Sequence, residues 1–260
     1  MRAQYRRNKA KTLLDIIRRI DNWPTAIDLR LRRHRRGLRL LNFRAGLNVV
    51  CRGGSRDWDA IHELLFAGSY QHALDYLRAR SGRQMVLDLG GNIGLFSLQA
   101  ALQSPEVFVH AYEPGPPNCR LFEMNRLLNY PLSERIVLHC EAVAGESRAG
   151  KLFFDERNPA GSSLFAGESA SFDVKISSFA NAIATAAAPI ALVKIDIEGT
   201  EFDLLERTAP EVWKSVAAIA LEVHDDPSGK MTRQQFIERL CSYGFEAEEE
   251  KVCSYFLRRR

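Results

Sequence analysis

The segment Val86-Leu87-Asp88-Leu89-Gly90-Gly91-Asn92-Ile93-Gly94-Leu95-Phe96 constrains this chain more than any other. An apolar run ends on an acid, a glycine-rich turn follows, and an amphipathic stretch (Leu95, Leu98, Ala101, Leu102) comes after it. The pattern predicts a strand, a tight loop and a helix opening. Glycine lets the main chain turn sharply and lets a ligand lie against it. A helix N-terminus offers N–H groups to an electron-rich ligand. The spacing D-x-G-x-N-x-G differs from the G-x-G-x-x-G of pyrophosphate-binding loops. With Asp88 at the loop mouth, a pyrophosphate is repelled and an ammonium attracted.

A second strand, Val107 to Glu113, also ends in an acid, and Pro114 stops it. Glu113 lies 25 residues after Asp88, near the ~20-residue offset at which an acid reaches ribose hydroxyls in nucleoside-binding α/β folds. A carboxylate suits a cis-diol because it accepts from both hydroxyls. A ligand with an ammonium, a sulfonium, a ribose and no phosphate meets these demands, which points to S-adenosylmethionine. The third segment, Ala191 to Leu205, opens as a β-branched-rich strand. Period-2 alternation puts Lys194, Asp196 and Glu198 on one face, and Thr200 with Asp203 predicts a capping box for the next helix. Three charges on one face are costly to bury unless they meet each other or a polar ligand. The plainer alternative is a Lys194–Asp196 ion pair with Glu198 capping the helix.

Together these residues carry a resemblance. The set Val86–Phe96, Tyr112-Glu113-Pro114 with Asn125 and Asn129, Lys194-Ile195-Asp196-Ile197-Glu198-Gly199-Thr200-Glu201 and Leu221-Glu222-Val223-His224 resembles the FkbM family of S-adenosylmethionine-dependent methyltransferases. The lead-in Cys51 to Trp58, with Tyr70, is also similar to that family. The resemblance covers about residues 50–257 and leaves 1–45 outside. One departure is Phe179-Ala180, where the family usually carries Leu-Asp.

The resemblance and the strand–helix alternation imply an α/β fold: a doubly wound, seven-stranded, Rossmann-like methyltransferase sheet. Strands are expected at 85–89, 107–113, 135–143, 191–197 and 216–223. A closing hairpin follows at 245–249 and 252–257, its last strand antiparallel. Residues 145–180 are expected to hold a short strand pair and a mobile loop. The division is a basic helical extension, residues 1–45, and a methyltransferase domain, residues 46–260.

Charge follows that division. Residues 1–40 hold 13 Lys/Arg against 3 Asp/Glu, whereas the other 220 residues hold 23 against 29. The densest run is Arg30-Leu31-Arg32-Arg33-His34-Arg35-Arg36. Such asymmetry suggests an anionic surface or polyanion as partner through residues 1–40; a solvated helical arm is the alternative. No apolar run reaches the ~20 residues of a membrane span. Five cysteines without C-x-x-C spacing predict reduced, buried thiols and a cytoplasmic setting. Histidine spacing indicates no metal site.

In a doubly wound sheet, ligands bind beyond the carboxyl ends of the strands. Asp88, Gly90, Gly91, Asn92 and Gly94 are expected to take the cofactor's amino-acid part, Glu113 its ribose, and Glu141 with Ala142 its adenine. Asp196, His224 and Glu198 then face the acceptor as candidate catalytic residues. His224 is favoured as base because an ordinary imidazole titrates near neutrality. The expected reaction is O-methylation of a sugar, glycan or other small-molecule hydroxyl. The alternatives are an RNA or protein methyltransferase guided by the basic arm, and a non-catalytic methyltransferase-like protein tethered to an anionic surface.

Overall fold

A computed structural model describes residues 12–32, 35–154, 170–187, 189–251 and 253–260. The first eleven residues, Arg33-His34 and the glycine–serine stretch at 158–163 lie outside them. Helix α1 (residues 12–19) and α2 (Trp23–Leu31) lead into a hairpin of β1 (Gly37–Asn42) and β2 (Asn48–Gly53), then α3 (Asp57–Leu65) and α4 (Gln71–Arg78). The alternating part begins with β3 (Gln84–Leu89), α5 (Leu95–Gln103), β4 (Val107–Tyr112), α6 (Pro116–Leu128) and β5 (Ile136–His139). An excursion follows: β6 (Ala142–Ala144), β7 (Arg148–Phe154) and β8 (Ala170–Ser178). The chain then returns through α7 (Phe179–Ala186), β9 (Ile190–Ile195), α8 (Glu201–Arg207), α9 (Pro210–Trp213), β10 (Ala218–Glu222) and α10 (Arg233–Ser242). The closing pair is β11 (Phe245–Lys251) and β12 (Ser254–Arg259).

Seven strands form one sheet in the order β11-β12-β10-β9-β3-β4-β5. Only β12 runs against the others, as expected of the closing hairpin. Consecutive residues of the inner strands enter opposite cores: Val86, Leu192 and Ala220 on one face, Leu87, Val193 and Leu221 on the other. Both faces are covered, so these strands read as continuous apolar runs. Register pairs Asp88 with Lys194, which sets the two charges side by side on one face. The strand order reverses between β3 and β9, where such sheets bind ligands.

Two expectations change. The predicted strand at 135–143 is two strands in different sheets. Among the described residues β5 is an edge strand paired with β4 alone; after His139 the chain leaves and β6 pairs with β8 instead. The thiols are not uniformly buried: all five are free, with Cys51 and Cys119 buried, Cys140 exposed, and Cys241 and Cys253 partly covered.

The charge boundary near residue 45 is not a packing boundary. Ile16, Ile20, Ala26 and Leu29 belong to the same buried cluster as Val86 and Val109 of the sheet. Two asparagines, one in α6 and one at its C-cap, tie the hairpin down. Asn125 bonds Val50 N–H at 2.6 Å, Val50 C=O at 3.1 Å and Ile93 C=O at 2.8 Å; Asn129 bonds Asn48 N–H at 2.8 Å and its C=O at 2.7 Å. They give β2 the partners that an edge strand otherwise lacks. We therefore expect a chain cut back to residues 41–260 to be insoluble or to unfold without cooperativity. Ile16→Ala alone should cost about 2–5 kcal/mol, the usual loss at a fully buried site. Urea unfolding of both checks this, and a stable, cooperative 41–260 fragment would show that the extension is dispensable.

Candidate active site

A cavity of about 340 Å³ opens at the carboxyl ends of β3, β4, β9 and β10, within the range of small-molecule sites. Its floor is the glycine loop, Gly90 to Ile93. Tyr112 and Glu113 form one side, and Asp196, Glu198 and Glu222 the other. Helix α3 closes it with Asp59 and Glu63, and Arg56 at its N-cap also lines it.

Glu113 is buried, 5% exposed. One carboxylate oxygen accepts from Asn92 N–H at 2.8 Å; the other accepts from Gly115 N–H at 2.8 Å and the Asn118 amide at 3.1 Å. Asn118 is itself held by Arg52, whose guanidinium also grips Asp57. The lead-in segment thus anchors both α3 and the Glu113 carboxylate. Burial pushes Glu113 up to about 7, while the Gly115, Asn118 and Asn92 bonds and the Lys194 charge oppose the rise. A carboxylate has about four acceptor sites; among the described residues three are used, which leaves one on the oxygen that meets Asn92.

Lys194 is the cation at the centre. Its ammonium, 4% exposed as a residue, donates to Gly90 C=O at 2.8 Å and lies 3.2 Å from Asp196 and 3.6 Å from Asp88. Burial works against its charge, but Asp196 and Asp88 outweigh it and hold Lys194 above the ordinary lysine value. The plainer sequence reading of a Lys194–Asp196 pair is therefore present. Tyr70 completes the group, placing its hydroxyl 3.3 Å from both Asp196 and Glu222. The sequence placed Lys194 on a charged strand face and Tyr70 in the lead-in; that Lys194 stands beside Asp88 follows from strand register, which no single segment shows.

Several expected site residues sit elsewhere. Asp88 is not at the loop mouth. It is fully buried beneath the loop, accepts from Ser97 Oγ at 2.6 Å and is absent from the cavity wall. Burial pushes its carboxyl up, against Lys194 and Ser97. Its link to the cavity wall runs through the Lys194 ammonium, 3.6 Å away. Gly90, Gly91 and Asn92 line the cavity, while Gly94 starts α5 behind it with φ 91°. Ala142 lines the cavity, but Glu141 turns away to pair with Lys175 at 2.6 Å. The change of sheet after β5 causes this. Thr200 makes no cap bond to α8; Asp203 instead accepts from Gly145 N–H and pairs with Arg207.

Asp196 and Glu198 both line the cavity, and His224 stands behind Glu198. The strand ends at Ile195 and Glu198 takes φ 51°, so the three-charge face is a strand end plus a turn. His224 Nδ1 lies 3.0 Å from Glu201 and Nε2 3.5 Å from Glu198. Burial works against the imidazolium, but the Glu201 hydrogen bond and charge, then Glu198 and Asp196, raise His224 to about 9. The two glutamates therefore favour the imidazolium, which works against the expected role of a waiting base. Burial raises Glu198 to about 7, opposed by His224 and assisted by the other carboxylates. Phe179 packs on Trp213, and Ala180 is exposed at the start of α7, away from the cavity. The Leu-Asp departure therefore does not alter the cavity wall.

The basic residues of the extension are partly committed to its own acids. Arg32 and Arg35 lie on Asp28, and Arg44 on Asp21. Among the described residues no helix is long and apolar enough to cross a membrane.

A doubly wound sheet with one antiparallel strand and an acid-lined cavity at its switch point is the arrangement that the methyltransferase resemblance implies. The FkbM methyltransferase domain model matches residues 88–247, more than half of the chain, and the chain belongs to that family. It is similar to Methyltransferase 1 of Beauveria bassiana (strain ARSEF 2860), with 25% identity over 189 residues, 64% of this chain and 74% of that one. It is also similar to Methyltransferase sdnD of Sordaria araneosa, with 24% identity over 199 residues, 64% of this chain and 75% of that one. Among solved structures it resembles Methyltransferase FkbM from Methylobacillus flagellatus KT, with 15% identity and a TM-score of 0.44. That match covers 68% of this chain but only 43% of the solved one.

Proposed function

We propose that this methyltransferase takes S-adenosylmethionine as donor and methylates a hydroxyl of a sugar, glycan or other small-molecule acceptor. The charge of the cavity carries the reading. Six carboxylates line it (Asp59, Glu63, Glu113, Asp196, Glu198, Glu222) against two cations, Arg56 and Lys194. Such a cavity attracts a cationic donor and repels a pyrophosphate. The amide oxygen of Asn92, on the cavity wall, is buried without a partner among the described residues and fits an ammonium or amino donor. The open acceptor site of Glu113 fits a ribose hydroxyl.

When bound, S-adenosylmethionine supplies an electrophilic methyl group. The chain's own task is then alignment and exclusion of water. The glycine loop and Glu113 hold the donor half. Asp196 and Glu198, at the far side, face the acceptor hydroxyl and can accept its proton; His224, with Nε2 3.5 Å from Glu198, orients that carboxylate. An anionic acceptor is disfavoured inside this cavity, which supports a neutral hydroxyl compound.

Calorimetry tests the donor assignment: S-adenosylmethionine and its demethylated product should bind the full chain, and NAD should not. Binding of NAD with no response to either sulfur compound would overturn it. Glu113→Gln should weaken both sulfur ligands roughly 10- to 150-fold, the effect of losing about 1.5–3 kcal/mol from a charge-assisted bond. pH adds a second check. The carboxyl that faces Lys194 and the Asn92, Gly115 and Asn118 donors titrates at about 7 instead of its ordinary 4.5. Donor affinity should therefore rise with pH through about 7 as the carboxylate forms. The linkage to folding has the opposite sign: the raised carboxyl contributes stability below 4.5 that is lost as pH rises through about 7. Glu113→Gln should flatten both trends; an unchanged affinity profile would remove Glu113 from the donor site.

A further inference from the structure

We propose that Asp196, Glu198 and His224 form a binding site for one divalent metal ion at the acceptor end of the cavity. Each residue offers one ligand atom, and the three atoms lie within 4.8 Å of one another. Metal bonds of about 2.0–2.2 Å to oxygen and imidazole nitrogen put opposite ligands about 4–4.4 Å apart, so a shift of a few tenths of an ångström closes the set on one ion. The residues come from two neighbouring parallel strand ends, Asp196 and Glu198 after β9 and His224 after β10. For this reason no local spacing in the sequence shows the set.

The second line of argument lies behind the three ligands. Glu201 is fully buried, and one of its oxygens holds His224 Nδ1 at 3.0 Å, which turns Nε2 toward Glu198. A carboxylate behind the imidazole is the arrangement that fixes histidine in metal centres. The other Glu201 oxygen has no hydrogen-bond partner among the described residues. The Thr200 hydroxyl has none either, although Thr200 is 2% exposed and lies on the cavity wall beside Glu198. Buried polar atoms without partners are rare and call for an explanation. A cation with its own shell of water supplies both charge and donors at this place.

One imidazole with two carboxylates suits an ion that accepts both oxygen and nitrogen, such as Mn²⁺. The binding does not depend on the donor assignment above, but its catalytic use does. There, a bound ion would meet the acceptor hydroxyl and lower its pKa.

The test titrates Mn²⁺ alone into the full chain, reading free Mn²⁺ by electron paramagnetic resonance. One ion per chain is expected, with a rise in melting temperature. Asp196→Asn, Glu198→Gln and His224→Ala should each lower the affinity at least tenfold, and Glu201→Gln by roughly 10- to 100-fold. Glu198, 32% exposed in its side chain, gives the variant least exposed to folding loss; circular dichroism of each variant verifies the fold. No saturable Mn²⁺ binding, or binding unchanged in Glu198→Gln and Asp196→Asn, overturns the site. Titrating S-adenosylmethionine into the same samples separates the two claims: donor binding without Mn²⁺ binding removes only the metal, and the converse removes only the donor.

Discussion

Lys194→Met is expected to lower stability by about 3–5 kcal/mol, the cost of leaving buried charge without its partner. For a chain of this size that corresponds to a melting temperature roughly 6–20 °C lower. The ammonium lies within 4 Å of Asp88 and Asp196 and donates to the Gly90 carbonyl. Methionine keeps the length but strands the fully buried Asp88, which then holds only the Ser97 hydroxyl. The glycine loop loses its tether, and donor affinity should fall with it. Adding Asp88→Asn removes the stranded charge, so the double variant should recover more than half of the lost stability. Denaturant titrations of the wild type, both single variants and the double variant measure this coupling. Strictly additive losses would mean that the two groups act independently.

Gly90→Ala should be nearly as severe for the site. A Cβ on Gly90 would stand 1.9 Å from the Asp196 carbonyl oxygen, and the residue holds φ at 84°. The left-handed backbone alone costs a non-glycine residue about 1–2 kcal/mol; the clash then forces β3 and the end of β9 apart. We expect loss of donor binding by more than ~100-fold, the affinity equivalent of about 2.7 kcal/mol, together with a lower melting temperature. Gly91→Ala is the control. Its Cβ meets the edge of the Phe122 ring at 2.8 Å, and a side chain can turn aside where a backbone carbonyl cannot. Equal losses in the two variants would show that ligand contact, not strand packing, demands both glycines.

Much of this molecule was legible in the sequence, for definite reasons. β3, β4, β9 and β10 are short apolar runs bounded by glycine, proline or acids, so these central strands were found to within two residues of their ends. Glu113 was singled out because it follows the glycine loop at an offset that reaches a ribose in nucleoside-binding folds, and it lines the cavity. What was missed depends on register and on crossings between elements. The side-by-side placement of Asp88 and Lys194 is set by which residue of β3 faces which residue of β9, and no single segment contains that. The same holds for Asp196, Glu198 and His224. Glu141 was misplaced because a strand was carried through a point where the chain changes sheet. The N-terminal segment looked detachable because its charge hides a sparse set of apolar residues; Ile16 and Ile20 are fully buried, and the asparagines that fasten the hairpin lie about 75 to 80 positions away.

The placement of β12 bears on how the protein comes into being on the ribosome. This strand, residues 254–259, lies between β11 and β10 and supplies the outer neighbour of β10. Its Arg259 also caps carbonyls of Val216 and Tyr243. Until those residues emerge from the exit tunnel, β10 has an unpaired side, and β11 has nothing to pair with. The half of the sheet around β3, β4 and β5 can form earlier in synthesis, whereas the half that carries Glu222 and His224 must wait. During that interval an apolar strand edge is open to neighbouring nascent chains, so translation speed over the codons for β11 and β12 and the availability of chaperones should govern the yield of native protein.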